Sequence, residues 1–194
     1  MDRKPGDTPD GAEGVSGSPA SAERLRAIVD AEYDFVWRSL RRLGVADRDV
    51  DDALQQVMLT LSRKLPLVRP GCERSFLFQT ALRVAADRRR SEKRRREVVT
   101  DVVEDRADET PSVEMLMDLH RARSKLDEIL DSMTLDLRAV FALFELDQMT
   151  LTEIAELLGV PRGTVASRLR RAREDFKTRA RVYAQCPGDE KGKG

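Results

Sequence analysis

Residues 151 to 173, LTEIAELLGVPRGTVASRLRRAR, constrain this chain more than any other stretch, because several local signals agree there. They predict two short helices joined by a tight turn. Thr152 is placed to cap the first helix, with Glu153 and Glu156 in its early turns, where carboxylates favour a helix start. Ile154, Ala155, Leu157 and Leu158 give that helix an apolar stripe at helical spacing. Gly159 falls where the chain must pass through a left-handed conformation, which glycine enters without steric cost. Pro161 suits the first position of the second helix, because its missing N–H would have no partner there. Ala155, Gly159 and Val165 then occupy the crossing, turn and packing positions of a helix-turn-helix. Val165 and Leu169 face inward and leave Arg162, Arg168, Arg170, Arg171 and Arg173 outward. Such a helix can lie in a DNA major groove with its N-terminal side chains on base edges. The blander alternative is a helical hairpin with a solvated basic face.

The overall charge argues against a nucleic-acid partner at first sight, since 35 basic residues balance 35 acidic ones. Their distribution says otherwise. From Arg83 to Arg96 the chain carries Arg83, Arg88, Arg89, Arg90, Lys93, Arg94, Arg95 and Arg96 against Asp87 and Glu92. From Glu97 to Asp118 the balance inverts, with Arg106 the lone basic residue among eight acidic ones. Basic character returns from Arg162 to Arg181. Two basic faces flank an acidic connector.

Other classes are disfavoured. No apolar run approaches a membrane span, and the N-terminus lacks the apolar core of a signal peptide, so a cytoplasmic location without membrane insertion is expected. Cys72, Cys186 and His120 are too few and too scattered for a disulfide framework or a metal site. With one histidine, no glycine-rich phosphate loop and no paired carboxylates in an apolar setting, neither an enzyme nor a cofactor is expected.

Length and composition suit two small helical domains: 194 residues, 40% hydrophobic but only 5% aromatic. Residues 1–21 are rich in Gly, Pro, Ser and Asp and predict a disordered tail, as do residues 184–194. The first domain spans 22–97. Leu25, Ile28, Val29, Val36, Leu40 and Leu43 trace one helix ending near Gly44, with Trp37 expected on its buried side or on a partner surface. Val50, Ala53, Leu54, Val57, Met58 and Leu61 trace a second from about Asp49. Pro66 and Pro70-Gly71 enforce a loop, and a third helix runs from about Ser75 with Leu77, Ala81, Val84 and Ala85 inward. Residues 98–114 form a flexible acidic linker. In the second domain, 115–183, Leu116 to Met133 and Leu137 to Phe144 give two helices before the helix-turn-helix. No run alternates at the period of a strand, so the fold class is all-α, in two lobes.

These pieces resemble a family: the sigma factors of bacterial RNA polymerase, specifically the small extracytoplasmic-function (ECF) group that has only regions 2 and 4. In the second lobe the resemblance rests on Arg138 to Leu143, Glu153-Ile154-Ala155, Gly163 to Leu169 and Arg171-Ala172-Arg173. In the first it rests on Asp52-Ala53-Leu54-Gln55-Gln56-Val57-Met58 and on Phe76-Leu77, Ala81, Asp87 and Arg90. Phe76 stands where the family usually has tryptophan, Arg83 where it commonly has asparagine and Thr80 where it has an aliphatic residue, which leaves the base preference at the −10 element open.

The resemblance implies a division of labour. Region 4 reads the −35 element as duplex, with Arg162, Gly163, Thr164, Ser167, Arg168 and Arg171 as its contacts. Region 2 opens and captures the −10 element, using the loop from Pro66 to Ser75 and the helix after it. Arg69, Arg74, Arg83, Asp87, Arg88 and Arg90 are the candidates. Asp52, Gln55 and Gln56 become the contact with the clamp helices of the polymerase β′ subunit, and the β flap is implied as a second contact. Implied partners are core RNA polymerase, promoter DNA and an anti-sigma factor. One rival reading is a helix-turn-helix factor of response-regulator type that binds duplex operators, which would need a receiver or ligand-binding domain that the first lobe does not resemble. The other is a helical adaptor that binds polymerase but not DNA, against which the two basic faces stand.

Overall fold

The computed structural model describes residues 19–98 and 113–185. Most of the expected N-terminal tail, linker and C-terminal tail lies outside the described residues. Among those described, the chain forms seven α-helices and no strand. They are α1 (Pro19–Arg42), α2 (Asp47–Lys64), α3 (Glu73–Val98), α4 (Val113–Asp131), α5 (Leu135–Phe141), α6 (Leu151–Leu158) and α7 (Arg162–Gln185). A 3-10 turn, Leu65–Leu67, follows α2, and a π-helical turn, Ala142–Leu146, extends α5.

α1 and α2 form a helical hairpin whose corner is Gly44. Its φ of +93° is open to glycine, and Val45 N–H reaches back to Leu40 O at 3.1 Å to close the helix end. α2 starts two residues before the expected Asp49, because Asp47 and Asp49 complement the helix start. α3 likewise starts at Glu73 rather than Ser75. α1 begins at Pro19, inside the stretch whose composition reads as tail. The first lobe packs Val36, Leu40, Ala53, Val57, Leu61, Leu77, Phe78 and Ala81 around one centre. Phe35, not Trp37, is the buried aromatic of α1: it lies 6.0 Å from Phe78, centroid to centroid, whereas Trp37 is 36% exposed. The reading of Trp37 as buried is therefore corrected: Phe35, two residues earlier, takes that place.

The second lobe has a smaller cluster of Ile129, Leu130, Met133, Phe141 and Ala172, with Phe141 stacked on Phe176 at 5.1 Å. Its other apolar residues, Ala139, Val140, Leu143, Ile154, Leu157, Val165 and Leu169, join the core of the first lobe without a break. The two lobes are thus packed together, and α6 lies directly on α3. The cause is legible in α6. Leu151, Ile154, Ala155, Leu157 and Leu158 spread over roughly 160° of its circumference at 100° per residue, too broad for one neighbour. The short helix therefore packs on α7 and on α3.

Candidate nucleic-acid and polymerase interfaces

The helix-turn-helix is built as its sequence implies, with two shifts. The N-cap of α6 is Thr150, not Thr152. Thr150 Oγ1 accepts from Glu153 N at 3.3 Å, while Glu153 Oε2 accepts from Thr150 N at 2.7 Å. This reciprocal capping box satisfies two helix-end donors, and it needs the Thr-x-x-Glu spacing that only Thr150 provides. The hydrogen bond from the Thr150 backbone holds the Glu153 carboxyl below the usual carboxylate range. Gly159 closes α6 in the left-handed region (φ 67°, ψ 34°), and Val160 N–H returns to Ala155 O at 3.1 Å. Pro161 stands one residue before the first helical position: its carbonyl accepts from Thr164 and Val165 N–H at 2.9 and 3.2 Å. Val165 and Leu169 are buried, as expected.

Thr164, Ser167, Arg168 and Arg171 follow one another at steps of three, one and three, on one face of α7, and Arg162 and Gly163 stand exposed at its start. Ser167 and Arg171 are exposed; Thr164 and Arg168 are half-buried. Arg168 is engaged, with Nη2 at 2.7 Å from Asp136 Oδ2. A Cβ on Gly163 would meet nothing within 4 Å, so the fold itself does not demand glycine there. Arg170 and Arg173 are tied elsewhere. Arg170 pairs with Glu174 at 2.8 Å, and Arg173 pairs with Glu145 at 2.6 Å while its guanidinium lies 4.9 Å from the Phe144 ring.

On α3 the candidates separate into three groups. Arg83, Asp87 and Arg90 are exposed and share one face, with Asp87 and Arg90 paired. Arg88 turns toward α2, 3.9 Å from Asp49. Arg74 is exposed in the first turn of α3, 4.0 Å above the Phe35 ring and 3.7 Å from Glu32, and Arg69 is exposed in the loop before it. The six therefore do not form one patch: roughly 13 Å of helix separates Arg74 from Arg83 at 1.5 Å per residue.

On α2, Asp52, Gln55 and Gln56 are exposed on the side opposite buried Ala53, Leu54 and Val57. Leu59 completes this row at the next helical step and is 49% exposed. Sequence reading assigned it no role, although an apolar residue at a polar position of the pattern was the available signal.

The packing of α6 on α3 sits beside these surfaces. Ser75 Oγ donates to Leu157 O at 2.8 Å and to Glu156 O at 3.3 Å, completing the C-terminal carbonyls of α6. Gln79 follows one turn on, and its Nε2 would lie 3.3 Å from a Cβ on Gly159. Ser75, Gln79 and Arg83 succeed one another four residues apart, so α6 covers the beginning of the face that carries Arg83. Three arginines also bridge the lobes. Arg42 pairs with Asp147, and Arg89 Nη2 donates to Asp131 O at 2.7 Å and Met133 O at 3.2 Å. Arg138 is only 2% exposed. Its Nε donates to Arg42 O at 2.5 Å and its Nη1 to Asp131 Oδ1 at 2.5 Å. Burial lowers its pKa and Asp131 opposes that shift; an arginine so placed keeps its charge at neutral pH.

Among the described residues no group of three potential ligands could hold a metal, and no helix is long and apolar enough to cross a membrane. Cys72 is exposed. Cys186 lies outside the described residues.

Comparison with known proteins agrees with this geometry. The Sigma-70 region 2 family matches residues 28–95, and the Sigma-70, region 4 family matches residues 123–176. The ECF RNA polymerase sigma factor SigE of Mycolicibacterium smegmatis is 27% identical over 177 residues, covering 90% of this chain and 69% of the relative. The ECF RNA polymerase sigma factor SigM of Mycobacterium tuberculosis is 30% identical over 166 residues, covering 79% of this chain and 81% of the relative. Two solved structures share the fold. CnrH in complex with the cytosolic domain of CnrY has a TM-score of 0.58 at 22% identity, covering 88% of this chain and 93% of that one. RpoE in complex with the anti-sigma factor NepR from Bartonella quintana has a TM-score of 0.55 at 16% identity, covering 85% and 99%. Both regions are present in family order, which the response-regulator alternative does not account for. The chain belongs to the ECF sigma factors of bacterial RNA polymerase.

Proposed function

We propose that this sigma factor divides promoter reading between its two lobes and docks on the polymerase through α2. The N-terminal half of α7 reads the −35 element as duplex, with Arg162, Gly163, Thr164, Ser167, Arg168 and Arg171 supplying base and phosphate contacts. The loop before α3, with Arg69, and the first turn of α3, with Arg74, capture an extruded base of the −10 element. Arg83, Asp87, Arg88 and Arg90 meet the adjacent strand. Asp52, Gln55, Gln56 and Leu59 dock on the β′ clamp helices, and the second lobe meets the β flap. The protein acts in the cytoplasm and performs no catalysis of its own. CnrH and RpoE, to which it is similar, were solved with the cytosolic domain of CnrY and with the anti-sigma factor NepR, so an anti-sigma factor is a further partner.

The observation that carries this reading is the single face of α7 formed by Thr164, Ser167, Arg168 and Arg171, beside the Gly159 turn. Because α6 covers Ser75 and Gln79, the lobes part before both elements are read. Polymerase drives that step by binding the parted form better than the packed one.

Permanganate footprinting of the holoenzyme tests the division, on a promoter found by mapping transcript starts after induced expression. Arg171→Ala removes an interaction worth about 1–3 kcal/mol if bidentate to a base, and should impair opening of a paired template but not engagement of one already melted at −10. Arg83→Ala should impair both opening and retention of the melted template while sparing duplex −35 binding. The same defect from both substitutions on both templates would refute the division.

A further inference from the structure

The loop between α2 and α3 is held by a side chain from outside it. Arg24, in the second turn of α1, donates through Nη2 to Val68 O at 2.7 Å and to Glu73 Oε1 at 2.8 Å. Its Nη1 lies 3.5 Å from Leu65 O. One planar guanidinium therefore joins the end of the 3-10 turn to the first residue of α3, the arrangement its fork of donors suits. The loop has bonds of its own, Val68 N–H to Leu65 O at 3.1 Å and Cys72 N–H to Arg69 O at 3.0 Å, but each closes only a short turn. Arg24 is the side chain that spans from Leu65 to Glu73. Its hydrogen bond also holds the Glu73 carboxyl below the usual carboxylate range, so the pair stays ionised at neutral pH.

The loop is anchored on one side and open on the other. Leu65 and Val68 are buried, while Leu67 between them is 81% exposed. Arg69 is exposed, and Gly71, at φ +85°, has open space where a Cβ would stand. An apolar side chain and a cation thus stand outward on a backbone fixed from behind. Capturing an extruded base costs a few kcal/mol of unstacking, and a loop that also had to be ordered on binding would lose affinity. We propose that Arg24 is a positioning residue for −10 capture: it holds the loop from Leu65 to Glu73 in the shape that presents Leu67 and Arg69 to the base. This rests on the assignment of base capture to that loop.

The test uses holoenzyme assembled from the full chain and core RNA polymerase. The probe is a pool of fork-junction DNA, duplex upstream and with a randomised single strand across the −10 positions; captured molecules are sequenced. Arg24→Ala should reduce the enrichment of preferred bases at the capture positions about tenfold, as expected if the competent fraction of loop shapes falls to a tenth. Arg24→Lys, which keeps a charge but cannot bridge, should fall between it and the unsubstituted chain. Glu73→Gln should reduce enrichment in the same direction without removing the arginine, which keeps the test alive if Arg24→Ala does not fold. Leu67→Ala and Arg69→Ala report on the loop itself. Enrichment changed by the loop substitutions but not by those at Arg24 or Glu73 would overturn the proposal and leave the loop assignment standing. Enrichment changed by none of them would overturn the assignment and the proposal together. A uniform loss at every position would also overturn it, since that is weaker binding rather than misplaced reading.

Discussion

Replacing Arg138 with alanine should part the two lobes without unfolding either. The side chain is 2% exposed and crosses from α5 to the C-terminal end of α1, where Arg42 O would otherwise lack a partner. A hydrogen bond from a charged donor contributes about 1.5–3 kcal/mol. The bond to Asp131 counts for less, because that carboxylate is 47% exposed and returns to water when its partner is removed. The buried methylenes of the arginine stem add about 0.8 kcal/mol each. Against these gains stands the cost of desolvating a guanidinium, several kcal/mol after relaxation. The balance is a loss of about 2 kcal/mol in docking, which moves the ratio of parted to packed molecules roughly thirtyfold. Energy transfer between dyes on Cys72 and on a cysteine introduced at exposed Lys177, with Cys186 replaced by serine, reads the separation of the lobes. Transfer should fall in Arg138→Ala, and in Ser75→Ala to a smaller degree, with helicity retained. Apparent affinity for core polymerase should rise, since less of the binding energy goes into opening. Unchanged transfer would refute the interlock. Loss of helicity would show instead that Arg138 holds up its own lobe.

Three further outcomes are expected. Thr150→Ala removes the cap of α6 and should cost about 1 kcal/mol, read as a lower melting temperature at neutral pH. Because the folded state lowers the Glu153 pKa, that carboxylate's contribution is complete above the ordinary carboxylate range and is lost as pH falls through the lowered value. The difference between Thr150→Ala and the unsubstituted chain should therefore shrink in acid, and a constant gap would speak against the capping box. Asp52→Lys with Gln56→Lys, or Leu59→Ser alone, should weaken capture of core polymerase in a pull-down while helicity is kept; undiminished capture would leave this face merely solvated. If Arg171 meets a phosphate rather than a base, Arg171→Ala should lower the slope of log affinity against log salt on promoter duplex by about 0.9, because one phosphate fewer is neutralised. Arg170→Ala, already paired with Glu174, should not, and equal slopes would mean that the internal pair opens on DNA.

The elements that could be read from sequence are those whose causes are local. Gly159, Val165 and Leu169 lie within one turn–helix unit, and each is where its spacing put it. Thr152 misled because two threonines stand two residues apart, and only Thr150 has a glutamate three positions on. Trp37 misled because α1 turns Phe35 inward, at helical spacing from buried Ile28 and Ser39 and against Phe78 of α3. The arginines were the hardest to read. Nothing near Arg24 in sequence distinguishes it from a solvated cation, since its acceptors lie 41 to 49 residues away, and Arg138 has, besides Asp131 seven residues before it, a backbone acceptor 96 residues away in α1. The same holds in reverse for the basic runs, where a count of charges overstates what can meet DNA. Arg74 lies on Phe35, Arg88 faces Asp49, Arg168 pairs with Asp136, and Arg170 and Arg173 are held by glutamates. Arg69, Arg83, Arg162 and Arg171 are the candidates left with no ion pair among the described residues, two near each DNA-reading helix. A phosphate that meets one of these need not first break an internal pair, and so these four should carry more of the salt-dependent affinity than their share of the basic residues suggests.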